Sequence, residues 1–239
     1  MTASDGHSIW TDLSTLRPDI TQAFYSTVLG WDFNRDDYAI AHQDGQPTAA
    51  LYSMPEFFRS INMPSFWMPY FSVTDVDAAV DKAKALGAKV EIAPEPLGAG
   101  RFALVRDPLG AGFSLFEGSD FDNRYLGAGG RIGQSLFVSD AGPAMSFYSA
   151  LFDWSFREIT SGIYSIQKAW TQIGHMHVLP EATDHDGKEF WAILFRTKEP
   201  KSKSEIENAG GTVLLETDLP ESRAKACYDP DGAYFLLFD

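Results

Sequence analysis

The sequence predicts an α+β fold of four βαβββ units in tandem, and three observations carry that prediction. The first is an internal repeat. The chain closes with Asp229-Pro-Asp-Gly-Ala-Tyr-Phe-Leu-Leu-Phe-Asp239, and near its midpoint it reads Asp107-Pro-Leu-Gly-Ala-Gly-Phe-Ser-Leu-Phe-Glu117. The two runs agree in register at Asp, Pro, Gly, Ala, Phe, Leu and Phe, offset by about half the chain, as a tandem duplication requires. The second is that other landmarks recur in the same order. Phe24-Tyr25 returns as Phe147-Tyr148, and Leu29-Gly30-Trp31 as Phe152-Asp153-Trp154. Leu86-Gly87-Ala88-Lys89-Val90 returns as Ala209-Gly210-Gly211-Thr212-Val213, Trp67 as Trp191 and Arg101 as Arg223. The third is that each copy divides again into two units, each a strand, a helix and three short strands.

The elements can be read in order. Ser8 to Ser14 alternates apolar and polar residues, as a half-buried strand does. Pro18 to Leu29 places Ile20, Ala23, Phe24, Thr27 and Val28 on a helical stripe, with Pro18 at its start and Gly30 just past its end. Short strands follow at Asp32 to Arg35, Tyr38 to His42 and Thr48 to Ser53, the last two separated by the Asp44-Gly45 turn. The second unit opens with a strand at Met68 to Val73. Its helix, Asp75 to Leu86, has Asp75 as N-cap and Gly87 as C-cap. Strands at Lys89 to Ala93, Arg101 to Arg106 and Gly112 to Glu117 close the first copy. The second copy repeats the pattern, with helices at Pro143 to Phe152 and Lys201 to Ala209 and a fourth strand at Thr171 to Leu179.

These boundaries give a first module at 1–117, a linker at 118–130 and a second module at 131–239. The linker holds Gly127-Ala-Gly-Gly130. These glycines lead into a strand rather than a helix, so they do not form a phosphate-binding loop. Apolar residues make up 44 % of the chain, enough to build a core in each half.

Composition removes several classes of function. Net charge is −14 and no basic run is present, so nucleic acid and anionic membrane surfaces are poor partners. The single cysteine, Cys227, excludes an internal disulfide and reads as a small buried apolar residue. No apolar run is long enough to span a bilayer. Met1 to His7 has no basic region followed by an apolar stretch, so it is not read as a signal peptide, and a cytoplasmic location is expected.

Two runs of residues carry a family resemblance. Trp10-Thr-Asp-Leu13, the helix end Phe24-Tyr25 and Leu29-Gly30-Trp31 look like the opening of a vicinal oxygen chelate module. Asp75-Val-Asp-Ala-Ala79, Leu86-Gly87-Ala88 and Asp107-Pro-Leu-Gly110 look like its second half. The chain therefore resembles the glyoxalase, bleomycin-resistance and extradiol dioxygenase superfamily, twice over. The resemblance implies two glyoxalase-like modules with curved mixed sheets, each with a concave face for a small ligand. It also implies metal-ligand positions, filled by His, Glu or Gln in the family's metal enzymes. Here those positions fall on Trp10, on Gly133 beside Gln134, on Ser114 and on Leu236, and near Trp67 and Trp191. None of these is an adequate ligand set, so no metal or other cofactor is expected.

One motif points the other way. His175 and His177 lie two apart on a strand and so face the same side, a spacing that suits half of a divalent-metal site. His185, Asp186 and Glu189 lie in a polar stretch nearby. Trp10, Trp67, Trp170 and Trp191 fall on strands expected to line the cups, where flat apolar ligands bind well. Arg101, with its repeat partner Arg223, could fork onto a carboxylate, either a ligand's or a local acid's. Asp12 and Asp140 read as caps of the turns that follow them. Trp31 and Trp154 read as structural.

The expectation is a protein that binds a small, apolar or aromatic organic molecule without the usual metal triad. Trp10, Trp67, Trp170 and Trp191 supply its walls, and Arg101, Gln134, His175 and His177 its polar contacts. The alternatives are a metal-dependent lyase, isomerase or dioxygenase using His175 and His177, and a structural or protein-interaction role with the cups filled by side chains. The expected assembly is a monomer or homodimer.

Overall fold

The computed structural model describes residues 5–121, 124–179, 189–218 and 223–239. In chain order it contains β1 (Ser8–Thr15), α1 (Pro18–Leu29), β2 (Asp32–Phe33), β3 (Tyr38–Gln43), β4 (Gln46–Ser53), α2 (Glu56–Ser60), β5 (Phe66–Ser72), α3 (Val76–Ala85), β6 (Lys89–Leu97), β7 (Gly100–Arg106) and β8 (Gly112–Glu117). The second copy supplies β9 (Arg131–Val138), α4 (Ala141–Phe152), β10 (Ser155–Thr160), β11 (Ile163–Lys168), β12 (Thr171–Val178), β13 (Phe190–Arg196), α5 (Lys203–Asn208), β14 (Thr212–Asp218), β15 (Arg223–Tyr228) and β16 (Tyr234–Phe238). The fold is α+β with two eight-stranded mixed sheets, ordered β2-β3-β4-β1-β5-β8-β7-β6 and β10-β11-β12-β9-β13-β16-β15-β14. The two orders are the same list shifted by eight, so the duplication read in the sequence is a duplication of topology.

Each βαβββ unit ends parallel to where it began. The helix returns the chain to the same end of the sheet, and two antiparallel steps then bring the last strand beside the first. Thus β1 pairs parallel with β4, β5 with β8, β9 with β12 and β13 with β16.

The local signals behave as their chemistry requires. Pro18 sits in the first turn of α1, and Gly30 closes it in the left-handed region at φ 76°. Asp153 takes the equivalent place after α4 at φ 59°, a conformation Asp tolerates better than most residues. Asp75 and Asp140 cap α3 and α4 by accepting from the backbone N–H of Ala78 and Gly142. Ser202 and Glu205 form a reciprocal capping box at α5. β6 runs on to Leu97 through Pro94 and Pro96, with register shifts along the way, because each proline lacks the N–H that a regular ladder needs.

The chain packs as two compact units, and each draws on both sequence copies. One contains Met1–Trp10, Pro69–Asp122 and Gly133–Trp191; the other contains Thr11–Met68, Asn123–Ile132 and Ala192–Asp239. The first unit's core packs α3 and α4 around Phe71, Phe113, Tyr148, Trp154 and Trp191. The second unit's core packs α1 and α5 around Tyr25, Trp31, Trp67, Phe195 and Phe235.

Each core is threaded by the same buried chain of hydrogen bonds. In the first unit Trp191 Nε1 donates to Tyr148 OH at 3.0 Å, and that hydroxyl donates to Asp107 Oδ2 at 3.0 Å. In the second, Trp67 Nε1 donates to Tyr25 OH at 2.9 Å, which donates to Asp229 Oδ2 at 3.2 Å. Both aspartates open the Asp-Pro-x-Gly turns, and their Oδ1 atoms also take backbone N–H groups of those turns. This explains why Asp, Tyr and Trp recur together. A buried indole N–H and a buried carboxylate are both costly unless bonded, and one tyrosine hydroxyl satisfies the two at once. Trp31 and Trp154 are structural as expected, donating to the carbonyls of Gly129 and Gly6. Cys227 is buried in the second core. Among the described residues no helix is long and apolar enough to cross a membrane.

Candidate functional site

Strand alternation divides each half-sheet into a face packed on its core and a face turned away from it. On β9 and β12 the core face carries Leu136, Val138 and Met176. The register pairs His175 with Ser135 and His177 with Phe137, so these four side chains share the other face. β11 adds Ser165 opposite His175 and Ile163 opposite His177.

On this face the rings form a continuous stack. Phe137 lies 4.8 Å from His177 at an interplanar angle of 12°, and 5.0 Å from Phe190 of β13 at 11°. All three rings are partly exposed. His175 lies 6.3 Å from His177, ring centre to ring centre, and its Nε2 is 3.0 Å from the Gln172 amide nitrogen. Burial lowers the pKa of His175, and burial followed by the proximity of His175 brings His177 down to about 4. Both imidazoles are therefore neutral near pH 7, and the face is an apolar plate with two neutral polar edges. Beside it the Ser139 hydroxyl donates to Glu189 Oε1 at 2.5 Å, while Glu189 Oε2, also buried, has no hydrogen-bond partner among the described residues.

The other expected site residues are placed differently. Trp10 is on β1, buried, and stacked on Phe121 at 4.6 Å and 10°. Phe121 also meets Phe116 and Tyr70, so a residue that the sequence reading left in the linker covers the Trp10 ring. Trp67 and Trp191 were expected in the cups. They are instead buried in the two cores, held by Tyr25 and Tyr148, because odd positions on β5 and β13 face the helices. Trp170 was expected on a cup-lining strand, but it occupies the β11–β12 turn at φ 74° and is 99 % exposed. Arg101 is exposed and forks onto Asp77 through both terminal nitrogens, as the local-acid alternative allows. Gln134 is buried with its amide donating to the Ile173 carbonyl at 2.7 Å. Asp12 does not cap a turn; it is buried in the middle of β1 and accepts from Tyr38 OH at 3.0 Å. His185 and Asp186 lie outside the described residues.

The superfamily's metal enzymes set a donor test for this chain. Among the described residues no three His, Cys, Asp or Glu side chains converge as a metal site would require. Ser114, Gly133 and Leu236 offer no metal donor of that type, and Trp10 is stacked under Phe121. The described residues do not fit the usual metal.

Residues 9–116 match the Glyoxalase-like domain family. The first copy therefore carries a glyoxalase-like domain, and the second copy repeats its strand order. This agrees with the resemblance to the vicinal oxygen chelate superfamily that the sequence motifs carry. The chain is 26 % identical to the anthracycline biosynthesis protein DauV of Streptomyces sp. strain C5, across 98 % of this chain and 93 % of that protein. Its fold is shared with the Mn(II)-bound glyoxalase of Novosphingobium aromaticivorans at a TM-score of 0.68 and 12 % identity, covering 98 % of this chain and 82 % of that one. It is shared too with the 2,3-dioxygenase LapB of Pseudomonas sp. KL28 at 0.62 and 14 %, covering 99 % and 92 %.

The ring stack was only half legible beforehand. The His-x-His spacing exposed His175 and His177, whereas Phe137 and Phe190 carried no signal beyond strand alternation. What joins them is the parallel register of β9 and β12, which no local pattern encodes.

Proposed function

We propose that this glyoxalase-like protein binds a flat, apolar or aromatic organic molecule against the ring stack of Phe190, Phe137 and His177, and does so without a metal. The observation that carries this reading is the stack itself: three near-parallel rings, partly exposed, on the sheet face away from the core. A planar ligand gains both buried apolar area and offset stacking there. Neutral His175 and His177 offer donor and acceptor atoms at the edge of the plate, which fixes orientation without the desolvation cost of a charge. The similarity to DauV, an anthracycline biosynthesis protein, supports an organic small-molecule ligand.

The test is a fluorescence titration with 1,8-dihydroxyanthraquinone as the planar probe. Saturable binding is expected, with Phe137→Ala weakening it about tenfold, equivalent to about 1.4 kcal/mol, while the fold is retained. Binding unchanged in both Phe137→Ala and His177→Ala would remove the assignment. Elemental analysis of the untagged protein addresses the metal. A stoichiometric transition metal that disappears in a His175→Ala/His177→Ala variant would replace this reading with metal-dependent chemistry. The protein is proposed to act as a monomer or homodimer, which light scattering resolves.

A further inference from the structure

The ring stack ends beside a carboxylate with an oxygen to spare. Strands β9 and β13 are neighbours in the sheet, and two side-chain contacts in succession join them. Phe137 stacks on Phe190; two residues on from Phe137, Ser139 donates through its hydroxyl to Glu189 Oε1 at 2.5 Å. The Leu179 N–H donates to the Val138 carbonyl at 2.8 Å, so the β9–β12 ladder runs up to Ser139. Glu189 directly precedes Phe190 at the start of β13 and is only 6 % exposed. Its Oε2 is buried and takes no hydrogen bond among the described residues.

The framework needs only one acceptor at this joint, and the first copy shows why. By the offsets that relate Phe24 to Phe147 and Trp67 to Trp191, Ser139 and Glu189 correspond to Leu16 and Ser65. Ser65 is buried too, and its hydroxyl oxygen accepts from the Leu16 N–H at 3.2 Å. A serine thus closes the equivalent joint between the neighbouring strands β1 and β5 with a single bond. In the second copy a carboxylate does so with one oxygen and leaves the other over. A buried carboxylate oxygen without a donor is costly, and a donor on a ligand lying against the rings removes that cost. A phenol suits the place. Its O–H donates in the plane of its ring, where the edge of a stacked ligand lies, and its bond to a carboxylate is charge-assisted.

We infer that the ring stack of Phe190, Phe137 and His177 selects planar aromatics that carry a ring hydroxyl, with Glu189 Oε2 accepting that O–H and Ser139 holding the carboxylate in position through Oε1. The inference rests on the ring-stack reading and adds to it the chemical class of the ligand. All of these residues belong to one compact unit.

The experiment is a fluorescence titration of the full chain with 2-naphthol and, separately, with 2-methoxynaphthalene, the same ring system with its O–H capped. The naphthol should bind about tenfold more tightly than the ether. Glu189→Ser, the residue that the first copy carries there, should bring the two affinities to within about twofold of each other and leave that of the ether unchanged. Equal affinity of the two probes for the wild type would overturn this inference and leave the ring stack standing, whereas no binding of either would overturn both. A preference for the naphthol that persists undiminished in Glu189→Ser would also overturn it. If circular dichroism shows that Glu189→Ser does not fold, Glu189→Gln decides: a fall of the preference to about threefold supports the site, and an unchanged preference overturns it.

Discussion

Replacing Asp229 with Asn removes the ionisable member of the Trp67–Tyr25–Asp229 chain while keeping its shape. Burial is the main influence on this carboxyl and raises it from 3.8 to about 6. The N–H groups of Ala233 and Asp231 and the Tyr25 hydroxyl pull it down, and the nearby charge of Asp231 pushes it up. Because the folded pKa lies above the unfolded one, the folded chain holds a proton between pH 3.8 and 6 that the unfolded chain has released. The contribution of Asp229 to stability is therefore fully present below pH 3.8 and is lost as pH rises through about 6. A displacement of this size corresponds to about 3 kcal/mol over the whole range. Between pH 4.5 and 7.5 the accessible part is about 2 kcal/mol. The Asp229→Asn side chain would still accept the turn N–H groups and would have no such slope. The assay is urea denaturation of wild type and Asp229→Asn across that range. The wild-type stability minus that of Asp229→Asn should fall by about 2 kcal/mol as pH rises. A difference flat to within about 0.5 kcal/mol, or one that rises with pH, would refute the reasoning.

Three further outcomes can be checked directly. Ala169 and Trp170 both sit in the left-handed region, at φ 46° and 74°, so Ala169→Asn/Trp170→Gly should stabilise the β11–β12 hairpin by about 1–2 kcal/mol in the same denaturation assay. A Cβ at Gly174 would stand 2.7 Å from the Gln134 carbonyl oxygen, so Gly174→Ala should destabilise the chain by about 1–3 kcal/mol and weaken probe binding on the ring stack. His177 has the opposite sign to Asp229. Its folded pKa of about 4 lies below the ordinary 6.5, so its contribution to stability is complete above pH 6.5 and declines as pH falls towards 4; His177→Phe should flatten that acid limb.

The sequence by itself determined the fold class, the duplication and most element boundaries. Those features rest on local chemistry: proline at the start of α1, glycine at its left-handed end, aspartates at the caps, and alternation along the strands. It also separated Trp31 and Trp154 as framework residues. Its silences have equally local causes. The five-residue α2 is too short to show a period, and Asp12 carries the same letter whether it caps a turn or sits in a sheet floor.

Tertiary structure decided which face each side chain serves. Alternation shows that Trp10 and Trp67 lie on strands but not which side is core, and helix packing settled that by drawing Trp67 inward to Tyr25. It brought Phe121 over Trp10, and it left Trp170 on a hairpin tip. It also formed the buried Asp–Tyr–Trp chains across the two sequence copies, joining Asp107 to Tyr148 and Asp229 to Tyr25. Finally, the parallel register of β9 with β12 collected rings at one face. Strand pairing over tens of residues depends on how the intervening helix packs, and that free energy is spread across a whole core rather than written in any one segment.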